Sequence, residues 1–168
     1  MVGLDGSPAA ADACRWAAWL AAKTDAHLIT ASAWLPHQSE GSPDDIAERR
    51  VAAESQLDNE WSQPARLVGV APRPLLLDGS PELLLEAAEA EHADLLVVGN
   101  RGVGGLAGLH LGSVAHHLTH HTVRPLAIVP APTAATIRER SSLASTAQRE
   151  APQPCSGAPA LPPRCRPE

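Results

Sequence analysis

The sequence predicts an α/β fold in which an open parallel sheet carries helices on both faces. Two observations support this prediction. Five short apolar runs alternate with four segments that have helix-capping residues and helical periodicity. The fourth run, residues 95–98, is apolar at every position, as strands are when helices cover both faces of a parallel sheet. With 44% hydrophobic and 19% charged residues, the composition is that of a soluble globular chain.

The first strand and the first helix meet at a short turn. Residues 2–4 are apolar and end at Asp5, and Ser7 is a good N-cap for a helix whose first turn contains Pro8. We expect this helix to run to about Thr24 and to pack its alanine-rich face on the sheet.

The later elements continue the alternation. Strands are predicted at residues 28–34, 74–77, 95–98 and 126–129. Helices are predicted from Asp44 until Pro64 ends the segment, from Ser80 to about His92, and from Ser113 to His121. The second helix has an apolar stripe at Ile46, Ala53, Leu57 and Trp61. In such a sheet, ligands bind beyond the carboxyl ends of the strands.

The composition changes near Pro130 and divides the chain in two. Residues 131–168 contain seven of the sixteen prolines and few large apolar side chains, so we expect a disordered tail after a domain at residues 1–130. The domain carries 8 basic and 16 acidic side chains, whereas the tail carries 5 basic and 3 acidic ones. This division allows the tail to fold back on the domain, but a solvated extension is the favoured interpretation.

Charge and cysteine usage exclude several classes of protein. The net charge of −6 argues against binding to nucleic acid, and no apolar run reaches the roughly 18 residues that a membrane span needs. The N-terminus lacks the basic and apolar regions of a signal peptide. Cys14, Cys155 and Cys165 have no CxxC spacing, so we expect free thiols in a cytoplasmic protein.

A glycine-rich loop from Gly99 to Ser113 is the most informative stretch for chemistry, because it leaves a predicted buried strand and enters a predicted helix. Glycines let backbone amides turn inward as an anion-binding nest, and a helix N-terminus adds unpaired N–H groups and a positive dipole end. This arrangement suits a phosphate chain. Composition supports a second interpretation equally well, in which the glycines only make turns and Gly112 with Ser113 only caps the helix.

Two known phosphate-binding patterns do not fit this loop. The P-loop pattern GxxxxGK[ST] is absent, because the single lysine, Lys23, lies far from the glycines. The segment Gly102-x-Gly104-x-x-Ala107 matches the dinucleotide fingerprint loosely. It follows the fourth strand instead of the first, however, and no acidic residue lies about 20 positions further on.

The spacing Gly99-x2-Gly102-x9-Gly112-Ser113 instead resembles the nucleotide-binding signature of the universal stress protein (UspA-like) family. Further matches to that family, in the same order, lie at residues 2–7, 79–81, 94–99 and 124–129. The resemblance covers about residues 1–130. It implies a Rossmann-like sheet of five strands in the order 3-2-1-4-5, usually in a homodimer, and an ATP-binding subgroup that holds the nucleotide in this loop.

The resemblance also implies which residues bind ATP. The candidates are Asp5, Ala33, Gly99, Arg101, Gly102, Gly104, Gly112 and Ser113. The loop glycines and Ser113 would line the ribose and phosphates, and the main chain of Ala33 would contact adenine. Asp5 can accept from ribose hydroxyls or hold Mg²⁺ on the phosphates. An aspartate before glycine is also a common turn former, and that interpretation of Asp5 stays open.

The sequence departs from the family pattern at its start. Only three residues precede Leu4, whereas the family has a longer first strand, so we expect a truncated central strand. Either the natural start lies upstream or the domain is less stable than its relatives. At the other end, residues 126–129 would leave an exposed sheet edge. This edge predicts dimerisation through the last strand, or a cap formed by residues 130–132.

No set of residues predicts catalysis or a metal site. Four histidines have helical spacing that can share a metal, namely His116, His117, His120 and His121, but no third ligand is evident and an exposed helix is favoured. No serine lies in a GxSxG elbow, and no residue fits a general base for ATP hydrolysis. We therefore expect an ATP-binding stress-response sensor or regulator. The alternatives are a nucleotide-free interaction module of the same fold and a weak ATP hydrolase.

Overall fold

A five-stranded parallel sheet organises the fold. The computed structural model describes residues 1–35, 42–104 and 111–131. The strands are β1 (Val2–Gly3), β2 (Ile29–Trp34), β3 (Arg73–Asp78), β4 (Leu96–Gly99) and β5 (Leu126–Val129). They pair in parallel in the order β3-β2-β1-β4-β5. The predicted fold class and strand order are therefore confirmed.

Helices connect the strands at both faces of the sheet. The described α-helices are α1 (Pro8–Thr24), α2 (Pro43–Gln56), α3 (Gln63–Arg66), α4 (Leu83–Ala90) and α5 (Ser113–His121), and a π-helical segment (Leu57–Trp61) lies between α2 and α3. Ser7 caps α1 as predicted, because its Oγ accepts from the amide of Ala10 at 3.2 Å. None of these helices combines the length and the apolar character that a bilayer crossing requires.

The prediction that Pro64 ends the second helix is wrong. The α-helical hydrogen bonds stop at Gln56, the π-helical segment follows, and Pro64 lies in the first turn of α3. Proline is accepted at that position because the amide it lacks would have no partner within the helix.

The third predicted helix, at residues 80–92, is too long at both ends. Residues 80–82 form a turn before α4, and the helix ends at Ala90. Beyond it, His92 has a φ of 50°, which is a left-handed conformation that terminates a helix.

Strand β1 is short and central. Val2 pairs with Thr30 of β2 on one side and with Val97 of β4 on the other. Leu4 extends the pairing beyond the strand, because its amide donates to the carbonyl of Ala31 at 2.8 Å. The chain then leaves the carboxyl edge of the sheet at Asp5.

Helix α1 packs closely on one face of the sheet through its alanines, as predicted. The buried alanines of this helix are Ala9, Ala10, Ala13, Ala17, Ala18 and Ala21. Small side chains bring the helix backbone near the end of β4, where a Cβ on Gly99 would lie 2.7 Å from the carbonyl carbon of Ala9. Cys14 is fully buried in the same face, and burial raises the pKa of its thiol to about 11.

The opposite face of the sheet is covered by α4 and α5. Leu84 and Ala88 of α4 and Leu118 of α5 pack with Leu96 and Val98 of β4 in one apolar cluster. The two faces together leave the carboxyl ends of β1, β2 and β4 accessible between the helices, and this is where the site lies.

Parts of the sequence interpretation lie outside the described residues. Residues 1–131 form one compact unit, while the predicted tail is not described beyond Ala131. Residues 105–110 of the glycine-rich loop are also outside the described ranges.

Candidate functional site

A cavity of about 470 Å³ opens at the carboxyl edge of the sheet. It is bounded by the ends of β1, β2 and β4, by the start of α4, and by the N-terminus of α5. All eight residues proposed from the sequence line it: Asp5, Ala33, Gly99, Arg101, Gly102, Gly104, Gly112 and Ser113. The fold therefore brings positions that are far apart in the chain around one hollow, at the edge where parallel sheets bind ligands.

Asp5 ties the end of β1 to the glycine-rich loop. Its Oδ1 accepts from the amide of Ser7 at 3.0 Å, which closes the turn after β1. Its Oδ2 accepts from the amide of Val103 at 3.0 Å, across 98 positions of the chain. The carboxylate thus has the turn-forming role that the sequence left open, and it also fixes the loop against the sheet.

Gly102 is required by this contact. A Cβ at position 102 would lie 2.4 Å from Oδ2 of Asp5, closer than two atoms can approach. The absent side chain therefore leaves the space that the Asp5 carboxylate fills.

Ser7 makes a second link between the two segments. Its Oγ donates to the carbonyl of Arg101 at 3.3 Å while it accepts from the amide of Ala10. The hydroxyl that caps α1 therefore also holds the first part of the loop, so the cap and the cavity wall depend on the same atom.

The two ends of the loop meet at Asn100. The amide of Gly112 donates to the carbonyl of Asn100 at 2.8 Å, and the amide of Asn100 donates to the carbonyl of Val129 at 2.9 Å. The Oδ1 atom of Asn100 accepts from the amide of Ala131 at 3.0 Å. These bonds hold the start of α5 beside the end of β4.

The loop amides do not all converge on the cavity, which corrects the simplest form of the nest prediction. The amides of Asn100, Val103 and Gly112 are each taken by oxygens of the protein. Residues 105–110 are outside the described ranges. Among the described residues, the amides at the N-terminus of α5 are the part of the predicted anion-binding nest that lies at the cavity. Gly112 offers no side chain to cap it, and Ser113, Val114 and Ala115 of its first turn line the cavity.

Charge is sparse around the cavity. Among the described lining residues, Asp5 and Arg101 are the only charged ones. Arg101 is exposed, and its backbone lies beside Gly112, since a Cβ on Gly112 would be 3.4 Å from the Cα of Arg101. The α5 N-terminus adds the positive end of the helix dipole at the same side of the cavity. This side of the cavity favours an anion.

The other side of the cavity is apolar. Ala33 at the end of β2 and Trp61 of the π-helical segment line it, and Leu84 forms part of the floor below Gly3. The glycine-rich loop follows β4, and β2 and β4 lie on opposite sides of β1. The apolar wall is therefore on the opposite side of the cavity from the loop. The side with Arg101 and the α5 N-terminus thus favours an anion although apolar residues such as Val103 also line it, while Ala33, Trp61 and Leu84 make the other side mainly apolar apart from Ser32. We call these two sides the polar end and the apolar end.

Trp61 is a cavity residue that the site prediction missed. The sequence places it on the apolar stripe of the second helix, and the structure does pack it, partly buried, against the core cluster that contains Leu57, while it also lines the cavity. Trp61 is the last residue of the π-helical segment, and no signal in the sequence marks that segment.

The histidines of α5 do not line the cavity. The rings of His117 and His121 are stacked with centroids 4.1 Å apart, and those of His116 and His120 are tilted at 4.7 Å. Within residues 1–35, 42–104 and 111–131, no group of three or more potential metal ligands is found.

Comparison with known proteins identifies the family. Residues 1–130 match the universal stress protein family. A universal stress protein of Mycobacterium tuberculosis is 34% identical over 139 residues, which cover 77% of this chain and 93% of that protein. A solved universal stress protein in complex with cAMP is 31% identical, with a TM-score of 0.60 over 77% of this chain and 94% of that one. A solved member of the family from Burkholderia pseudomallei is 27% identical, with a TM-score of 0.58 over 77% and 94% of the two chains. The chain therefore belongs to the universal stress protein family.

Proposed function

We propose that the cavity binds an adenine nucleotide, with ATP as the ligand, and that the protein is a stress-response regulator whose state follows the bound nucleotide. The observation that carries this proposal is the division of one cavity into an anion-favouring end and an apolar end. Its volume of about 470 Å³ falls within the roughly 300–1,000 Å³ typical of small-molecule sites.

The polar end suits the phosphates. The first turn of α5 presents amides without intrahelical partners, and the exposed Arg101, whose backbone lies beside Gly112, is within the same lining and could extend its guanidinium to a phosphate. A Cβ added at Gly104 would meet no atom of the described residues within 4 Å, so this part of the chain leaves open space there. A phosphate chain can therefore approach the main chain closely.

Asp5 suits the ribose between the two ends. Each of its oxygens already accepts one backbone amide, and a carboxylate oxygen has a further lone pair. That capacity can receive a ribose hydroxyl, or can hold Mg²⁺ that bridges to the phosphates.

The comparisons support an adenine nucleotide in general. The solved relative in complex with cAMP is 31% identical, and the match covers 94% of that relative. The choice of ATP is our own. It rests on Arg101, whose guanidinium would interact more strongly with a triphosphate than with a cyclic monophosphate.

The same proposal includes assembly and location. Strand β5 is at the end of the described sheet, and its four residues are only half-buried, so a second copy pairing along this edge would give a homodimer. We place the protein in the cytoplasm, and we assign residues 1–130 to the nucleotide-binding domain and 131–168 to a tail.

A thermal-shift assay on the full chain tests the ligand. A ligand that binds only the folded state at 100 times its Kd adds about 2.7 kcal/mol, which raises the Tm of a domain of this size by roughly 10 °C. ATP, AMP, cAMP and GTP are compared, and mass spectrometry of the denatured protein identifies any ligand carried through purification. The absence of a shift at millimolar ATP, with no nucleotide released, contradicts the proposal and leaves a nucleotide-free interaction module.

A charge variant tests the orientation. Arg101→Gln should weaken ATP more than cAMP, because more negative charge then lies near the missing guanidinium. Arg15→Gln is the matched control, since Arg15 is an exposed arginine of α1 outside the cavity. The weak ATP hydrolase is tested in parallel, by measuring whether any turnover exists and whether Asp5→Ala abolishes it.

A further inference from the structure

Trp61 is the one aromatic side chain among the described residues that line the main cavity. It also lines a second, smaller hollow under α2, and Ala33 borders both hollows with it. Ala33 and Trp61 therefore both line the apolar end, and Trp61 is the large side chain of that wall.

Trp61 is the last residue of the π-helical segment Leu57–Trp61. The amide of Ser62 donates to the carbonyl of Leu57 at 3.0 Å, five residues back, which is the π-helical pattern. A one-residue insertion turns the residues after it by about 100° around the helix axis. Such insertions occur often at functional sites.

Buried anchors hold the segment on both sides of Trp61. Leu57 and Ser62 are both 0% exposed. The hydroxyl of Ser62 shares a hydrogen bond of 2.8 Å with that of Thr30, which is buried in β2. The backbone that carries Trp61 is therefore held by buried contacts on both sides.

The turn after β1 lies close to the same indole ring. Gly6 has a φ of 79°, and a Cβ there would lie 2.9 Å from Cε2 and Nε1 of Trp61. The turn next to Asp5 thus lies close to the indole and leaves no room for a side chain at position 6.

We propose that Trp61 is a specificity-determining residue that selects ligands with a flat aromatic base. This inference rests on the proposed nucleotide function and adds to it a residue of this chain that packs against the base beside Ala33. The recognition is by stacking and apolar contact, so it discriminates nucleotides from phosphate compounds without a base.

Two variants and two ligands test this role. Trp61→Leu keeps an apolar side chain but removes the aromatic surface, and Trp61→Phe restores part of it. The probes are ATP and inorganic tripolyphosphate, which has the phosphates alone, and the Kd of each is measured by calorimetry. Loss of one base–aromatic contact should weaken the binding of ATP by about 5- to 150-fold, with the binding of tripolyphosphate unchanged and Trp61→Phe intermediate.

The outcomes separate this proposal from the one beneath it. If the wild-type chain binds no ATP, both the proposed function and the proposed role of Trp61 are refuted. If the wild type binds ATP and Trp61→Leu binds it equally well, or loses ATP and tripolyphosphate to the same extent, only the role of Trp61 falls. ATP-dependent quenching of tryptophan fluorescence in the wild type, and its absence in Trp61→Phe, is an independent readout should Trp61→Leu fail to fold.

Discussion

Replacing Gly102 by alanine should weaken the link that Asp5 makes between the glycine-rich loop and the sheet. The new Cβ would lie 2.4 Å from Oδ2 of Asp5, about 1 Å short of an ordinary contact. Asp5 must move to admit it. The movement weakens the 3.0 Å bond that Oδ2 accepts from the amide of Val103.

The size of the effect follows from two opposing contributions. Hydrogen bonds to charged groups contribute about 1.5–3 kcal/mol, and the half-buried position of Asp5 reduces this to about 1.5–2 kcal/mol. Replacing glycine by alanine at a permitted backbone conformation returns about 0.4–1 kcal/mol through the unfolded state. We therefore expect Gly102→Ala to lower the free energy of unfolding by about 1 kcal/mol.

Gly104→Ala is the matched control for stability. Within residues 1–35, 42–104 and 111–131, a Cβ at position 104 meets nothing within 4 Å, so we expect only the gain in the unfolded state. The two variants should differ by about 1.5–2 kcal/mol in urea denaturation, which is roughly 5–8 °C in Tm. Both positions line the cavity, so ligand binding is not the readout.

A double-mutant cycle identifies the cause. In an Asp5→Ala background, the carboxylate that Gly102→Ala meets is gone, and the second substitution should then have no cost. Equal stability of Gly102→Ala and Gly104→Ala would refute the reasoning. So would an unchanged cost of Gly102→Ala in the Asp5→Ala background.

Two further predictions concern the support of the site and the core. Thr30→Val should lower the free energy of unfolding by about 1–3 kcal/mol in urea denaturation, because it leaves the buried Ser62 hydroxyl without its 2.8 Å partner. The double variant Thr30→Val/Ser62→Ala should recover part of that loss. Equal stability of the single and the double variant would contradict this explanation. Cys14 stays protonated in the folded state to about pH 11, whereas the unfolded thiol ionises near its ordinary pKa of 9.0, so the stability it contributes is complete below pH 9 and declines up to pH 11. The decline is at most about 1.4 kcal/mol per pH unit, and it should be absent from Cys14→Ala when the two pH profiles of unfolding are compared.

The architecture was predictable because its signals are local and redundant. Each strand is a short apolar run bounded by turn residues, and the cap at Ser7 lies where its sequence places it. Helix α5 begins at Ser113 and ends at His121 as predicted. Alternation of strands and helices then leaves few topologies open, since crossovers between parallel strands have one hand.

The details of the cavity were less predictable because they depend on contacts distant in sequence. The bond from the amide of Val103 to Asp5 spans 98 positions, and no spacing rule reveals it. The π-helical turn that contains Trp61 is an insertion within an otherwise regular helical pattern. Packing decides such features, and local propensity does not.

The bridge between Asp5 and Val103 has a consequence for how tightly anything can bind here. A flexible loop loses conformational entropy when a ligand orders it, and that loss subtracts from affinity. Residues 99–104 are already tethered to the sheet by the bonds of Asp5 and Ser7. A ligand that binds in this cavity would therefore contact residues 99–104 in a pre-organised conformation. Less of its interaction energy would be lost to ordering the loop, and its net affinity would be higher.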